Sequence, residues 1–190
     1  MKQVILIHGQ PEKEDVFGDV WPSESNSHWL PWIQKQLSRK DILCQALEMP
    51  HPYNPMYQDH CSVLDQMNIS HETILVGHSL GGGFLLRYFS EYPEKIPAKI
   101  ILVAPWVDTD NYLKDQGNKF FDFTIDQELV KRTHIDCIYS TDDEETLDSV
   151  YKIREALPNI TCYEFTNKGH FTEPDLGTKE FPELLEIILK

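Results

Sequence analysis

The sequence predicts an α/β fold: a three-layer, doubly wound, mostly parallel six-stranded sheet in one domain spanning residues 1–190. Two observations carry this. Short apolar runs with β-branched residues recur at Val4–Ile7, Ile42–Leu47, Thr73–Val76, Ile100–Val103, Ile135–Tyr139 and Ile160–Phe165. Most are apolar at successive positions, as strands buried on both faces of a parallel sheet must be. Segments of helical period separate the runs, and strand alternating with helix implies βαβ units.

The elements follow in order. Val4–Ile7 opens the chain as a strand and is too short for a leader segment. Leu30, Ile33 and Leu37 fall at i, i+3 and i+7, which predicts a helix; Val150, Ile153 and Leu157 do the same. Leu80–Glu91 and Phe181–Leu189 also read as helices. Three prolines in Met49–Pro55 stiffen a loop after the second strand, where it would shape a pocket rim. Pro105–His134 breaks the rhythm, with Trp106, Tyr112, Phe120, Phe121 and Phe123 among many Asp and Asn. It follows the fourth strand, and ligands bind beyond the carboxyl ends of such strands. It is therefore expected either to wall a pocket or to form a satellite apolar cluster.

Composition narrows the function. A formal net charge of −14 argues against nucleic acid and anionic membrane surfaces, because phosphate binding needs a Lys/Arg face. The acidity reads as solubility. No apolar run reaches the roughly 18 residues of a membrane span. Cys44, Cys61, Cys137 and Cys162 show no C-x-x-C spacing and are expected as reduced thiols in a cytoplasmic protein. No metal-binding spacing and no phosphate-binding loop is present, so no cofactor and no metal are expected.

The chemistry lies in Gly77-His78-Ser79-Leu80-Gly81, a G-x-S-x-G between a strand and a helix. A serine there sits on a sharp turn that lifts its hydroxyl above the sheet, and a Cβ at Gly77 or Gly81 would collide with its neighbours. Gly82 and Gly83 each cost helix stability of about 1 kcal/mol relative to alanine, so close packing of the helix on the strand is expected to offset them. Serine needs a base, oriented by an acid, and the chain order on this scaffold is Ser, acid, His. Two histidines follow Ser79. His134 precedes a strand and belongs at its far end. His170, in "NKGHFTEP", follows the last strand and is the candidate base. The acid belongs in "STDDEETL": one of Asp142 and Asp143 orients His170, the other starts the next helix. The oxyanion donors are the N–H groups of Leu80 and, after the first strand, Gln10, with His8 as a packed structural residue. Trp29, Trp106 and Phe171 are the pocket candidates, and Phe171 can also anchor the His170 loop.

Strand-"HG", then "VGHSLGG", "STDD" and "GHF", in this order across the whole chain, resembles the small serine hydrolases of the retinoblastoma-binding-protein-9 type. The resemblance implies an α/β-hydrolase fold without a cap domain, with nucleophile Ser79, base His170 and, at the second Asp of "STDD", acid Asp143. Family members often continue the acid loop with a Pro-containing turn where this chain has "EETL". The pocket-protein-binding segment of the LxCxE type is absent, so no such partner carries over. The expected activity is cleavage of a small-molecule ester, thioester or amide, carboxylesterase-like, through an acyl-enzyme on Ser79. The alternatives are a weakly active or non-catalytic binding protein on the same scaffold, and the same triad used for acyl transfer or a lyase reaction. An open site is expected, with Pro105–His134 as its only cover. The sequence assigns no oligomeric state.

Overall fold

The computed structural model describes residues 2–190. Six parallel strands form one sheet in the order β2-β1-β3-β4-β5-β6. They are β1 (Gln3–Ile7), β2 (Leu43–Leu47), β3 (Thr73–His78), β4 (Lys99–Val103), β5 (His134–Ser140) and β6 (Thr161–Phe165). Each sequence-predicted strand is present within two residues at either end. The helices are α1 (Lys13–Phe17), α2 (Leu30–Ser38), α3 (Tyr57–Leu64), α4 (Leu80–Glu91), α5 (Tyr112–Asp115), α6 (Leu129–Arg132), α7 (Leu147–Ala156), α8 (Glu173–Leu176) and α9 (Pro182–Leu189).

Alternate residues of one strand feed two cores. Val4, Leu6, Ile74 and Val76 pack with Leu30, Ile33 and Leu37 of α2 and with Leu184, Ile187 and Ile188 of α9. Ile5, Ile7 and Leu75 face the other way, onto α3, α4 and α7. This makes three layers. The central strand β3 is buried at all six positions. The edge strands depart from the expectation of two covered faces: Leu43 of β2 is 55% exposed, and β6 has no fully buried residue. An edge strand is paired on one side only and needs less apolar cover.

The chain runs from β1 out to β2, then returns to place β3 on the other side of β1. Ligand sites form at the carboxyl ends of strands where the winding reverses in this way, and here that point falls between β1 and β3. No helix among the described residues is long and apolar enough to cross a membrane.

Candidate active site

Ser79 sits between β3 and α4 with φ 53° and ψ −121°, a conformation that costs roughly 1–3 kcal/mol for a residue with a Cβ. Backbone bonds hold it there. Its N–H donates to the Val103 carbonyl at 2.9 Å, and its own carbonyl accepts from Gly82, Gly83 and Trp106 N–H at 3.0, 3.3 and 3.1 Å. The glycines make the turn possible. A Cβ on Gly77 would lie 2.5 Å from the Gly81 carbonyl, and one on Gly81 would lie 2.5 Å from the His8 carbonyl oxygen.

Gly82 does in part the job expected of it, since a Cβ there would lie 3.2 Å from the Gly77 carbonyl oxygen of β3, but Gly83 does a different one. Gly81 brings α4 against the end of β1, whereas Gly82 and Gly83 pack on Pro105 and Trp106 beyond β4. A Cβ on Gly83 would meet the Trp106 carbonyl oxygen at 2.0 Å. Gly83→Ala gains about 1 kcal/mol of helix propensity, but overpacking against backbone costs about 1–3 kcal/mol. The expected result is a lower melting temperature and impaired turnover, because Trp106 also bonds the Ser79 carbonyl. A Gly83→Ala protein that melts higher than wild type would contradict this packing account.

The acid and base come from the ends of β5 and β6. His170 Nδ1 lies 2.9 Å from Asp143 Oδ2, with the Asp143 side chain 3% exposed. A carboxylate only accepts, so the proton is on Nδ1 and Nε2 keeps its lone pair. The Thr146 hydroxyl also donates to Asp143 Oδ2. Burial pushes the Asp143 carboxyl up, but the hydrogen bonds from His170 and Thr146 outweigh it and hold it below its ordinary value. Asp142 is exposed and does something else. It accepts from the Ser140 hydroxyl, which in turn accepts Lys168 N–H at 3.1 Å. That bond, with Gly169 and Lys168 N–H groups close by, lowers the Asp142 carboxyl. Neither Asp caps α7 through its side chain, as one of them was expected to; Thr146 is the N-cap and makes no side-chain cap bond. Asp142 instead helps secure the start of the loop that carries His170.

The loop itself is unusual. Gly169 has φ +48° and Phe171 φ +58°, on either side of His170. The His170 N–H donates to Asp175 Oδ2 at 3.0 Å, and Asp175 completes a capping box with Thr172 at the start of α8. Phe171 is fully buried and stacks on Phe181 at 5.3 Å. His134 lies at the amino end of β5, paired with Asp136, as expected.

The β1 register brings the other wall to the serine. Ile7 pairs with Gly77, so two residues further Gly9 lies beside Ser79. A Cβ on Gly9 would approach the Ser79 Cβ to 2.9 Å. Gln10 follows, with its side-chain amide donating to the Tyr53 carbonyl at 3.1 Å. Leu80 is the first residue of α4, so its N–H has no intrahelical partner. His8 is buried and structural, as expected: its Nε2 accepts from Met49 N–H at 2.9 Å.

Ser79, His78, His170, Gly9 and Gln10 line one cleft of about 380 Å³. Its remaining wall corrects three expectations. Trp29 does not line it, being fully buried against His78 and Phe181. Trp106 packs edge-on against Phe121, away from the residues that line the cleft, and its backbone N–H bonds the Ser79 carbonyl. Phe171 is a core anchor rather than a pocket residue. The aromatic excursion is likewise not the cover. Phe120 packs on Phe84, Tyr57 and His60 on the flank of α4. The cover comes from the segment after β1, through Glu12, Asp15, Trp21, Glu24 and His28. The proline-rich 49–55 loop props that segment, since Tyr53 holds Gln10 and meets Phe17 edge-on at 5.5 Å.

This wall is acidic, and its carboxylates crowd one another. Burial, with Glu48 and Asp15 close by, pushes Glu24 up to about 7. The folded-state value lies above the ordinary 4.5, so the folded chain binds this proton more tightly than the unfolded chain. The associated stability is fully present below about pH 4.5 and is lost as pH rises through about 7. Glu24→Gln is therefore expected to melt higher than wild type at pH 8, with the gap closing by pH 4.5. Thermal melts at the two pH values check this, and an equal gap at both would contradict it.

Several residues of the site were not legible as functional. His78 and Asp175 bond the backbone of His170, and the acids at 12, 15 and 24 read in the sequence only as solubility. Only Asp175 carried a signal, the T-x-x-D pattern of a capping box. Asp143, Glu145 and His170 also bring ligand-type atoms within 4.8 Å of one another, but Asp143 and His170 already bond each other and Glu145 is exposed.

A parallel sheet of this order, a strained serine after β3, an acid after β5 and a histidine after β6 define an α/β hydrolase. The chain belongs to the Hydrolase_4 family (serine aminopeptidase, S33), whose profile matches residues 51–185. It is similar to the YdeN protein of Bacillus subtilis (strain 168), 28% identical over 98% of this chain and 94% of that one. The crystal structure of the B. subtilis ydeN gene product superposes with a TM-score of 0.81 at 26% identity, covering 100% of this chain and 97% of that one. A monoacylglycerol lipase of Paleococcus ferrophilus shares the fold, with a TM-score of 0.64 at 15% identity over 98% and 93% of the two chains. Among the described residues no separate cap domain covers the strand ends.

Proposed function

We propose that this chain is a carboxylesterase-like serine hydrolase that cleaves a small-molecule ester, thioester or amide, and that it is of the retinoblastoma-binding-protein-9 type. The observation that carries the reading is the 2.9 Å bond from His170 Nδ1 to buried Asp143, made by an imidazole that lines the same cleft as Ser79. That bond leaves the Nε2 lone pair to take the Ser79 proton. The serine oxygen attacks the carbonyl carbon as His170 becomes an imidazolium, which Asp143 stabilises. The N–H groups of Leu80 and Gln10 hold the oxyanion, aided by the amino end of α4. His170 protonates the leaving group, water enters, and the same imidazole activates it against the acyl-enzyme.

The cysteines are poor competitors for the nucleophile's role. All four are free, and burial pushes Cys44 up to about 12 and Cys137 further. The carboxylates of Glu12 and Asp15, joined by Glu24 as it ionises above about pH 7, favour neutral or cationic substrates over anionic ones. No step requires a cofactor or a metal.

Stopped-flow mixing with p-nitrophenyl butyrate tests the reading. The expected trace is a burst of about one equivalent of nitrophenol followed by slower turnover. Neither burst nor turnover, with this ester or with a thioester and an anilide of the same acyl group, would leave a binding protein on the same scaffold.

A further inference from the structure

We propose that His78 is a positioning residue, which ties the elbow to the backbone of His170 and so sets the imidazole's place beside Ser79. The proposal rests on the preceding reading of Ser79 and His170. His78 fills the first variable position of G-x-S-x-G and is buried, 3% exposed. Its Nε2 lies 2.7 Å from the His170 carbonyl oxygen. A carbonyl only accepts, so Nε2 carries the proton. Trp29 packs edge-on against the His78 ring at 5.8 Å and His28 at 6.0 Å, which fixes its plane.

The base loop needs such a tether. Phe171, directly after the base, holds a left-handed φ of +58°, a conformation that a residue with a Cβ keeps only where its surroundings enforce it, and Gly169 turns the chain the same way on the other side. Besides the ring's bond to Asp143 and the Ser140 hydroxyl on Lys168 N–H, three attachments hold the segment at the base: the His170 N–H on Asp175, the Phe171 ring in the core, and the His170 carbonyl on His78. The first two anchor it to residues near its own end of the chain. Only the third joins it to the residue next to the nucleophile. A misplacement of about 1 Å between reacting groups can cost about 100-fold in rate.

Histidine also suits the position electrostatically. The ring centroids of His78 and His170 lie 4.9 Å apart. A permanent cation so close would oppose the imidazolium that forms on His170. Burial, and after it the neighbouring imidazoles of His170 and His28, lower the His78 pKa well below its ordinary value, so the donor is neutral.

Two experiments test the tether. Nitrogen NMR on the wild-type protein at pH 7.5 is expected to find His78 neutral, with its proton on Nε2; a proton on Nδ1 would overturn the proposal without any variant. His78→Gln places an amide N–H near the original Nε2, whereas His78→Asn is too short to reach the carbonyl. With p-nitrophenyl butyrate, the Gln variant is expected within about 10-fold of wild-type kcat and the Asn variant about 100-fold down, both with KM within about 3-fold. Equal kcat in two folded variants would overturn the proposal while leaving the triad intact. A wild-type protein without turnover would instead remove the triad reading, and the tether's catalytic role with it. If neither variant folds, the tautomer decides.

Discussion

Ser79→Ala is expected to lower kcat on the order of 10⁶-fold while leaving the melting temperature within a few degrees of wild type. The two parts of that expectation have separate causes. The hydroxyl is the only part of Ser79 that the reaction uses. What holds the residue in place is backbone: the donor to Val103 and the carbonyl that accepts from Gly82, Gly83 and Trp106. Alanine keeps the Cβ, so the strain at φ 53° is unchanged. Circular dichroism melts and ester turnover, measured on one preparation, check both parts. A variant that keeps more than about a hundredth of wild-type turnover would mean that another group attacks.

Asp143→Asn is expected to lower kcat about 10⁴-fold, and Asp142→Asn less than about 10-fold. An amide at Asp143 can donate to Nδ1, which favours the tautomer with its proton on Nε2, and that imidazole cannot take a proton from Ser79. It also removes the charge that stabilises the imidazolium. Asp142 faces solvent and is bonded to the Ser140 hydroxyl, so its loss loosens the start of the base loop without touching the base. Steady-state kinetics of the pair decide it. If Asp142→Asn is the more damaging, the acid has been misassigned.

The parts of this protein that were legible in the sequence are those set by local constraint. Six apolar runs became six strands: in the inner four, burial on both faces leaves little room for polar residues, and the edge strands β2 and β6 kept enough apolar residues to be read although they are half covered. The elbow was readable because only glycine fits where Gly77 meets Gly81 and where Gly81 meets the His8 carbonyl. His170 followed from chain order and from its place after the last strand. The cleft wall was not readable. Trp29, Trp106 and Phe171 are large and apolar, but size does not say which side of the sheet a ring will face, and all three turned into packing. Strand order, which decides that the segment after β1 rather than Pro105–His134 lies over Ser79, is a long-range property with no local signature. The division of labour between Asp142 and Asp143 was hidden for a related reason. Adjacent residues point in different directions, and only the fold shows that one is buried under the imidazole and the other faces water.

The central claim is that Ser79 is an activated nucleophile. Labelling with a fluorophosphonate probe tests it most directly, by intact mass and by peptide mapping of wild type, Ser79→Ala and His170→Ala. The expected result is one adduct per wild-type chain, mapped to Ser79, absent from Ser79→Ala and formed far more slowly in His170→Ala. No adduct on folded wild type, or an adduct that persists in Ser79→Ala, would contradict it.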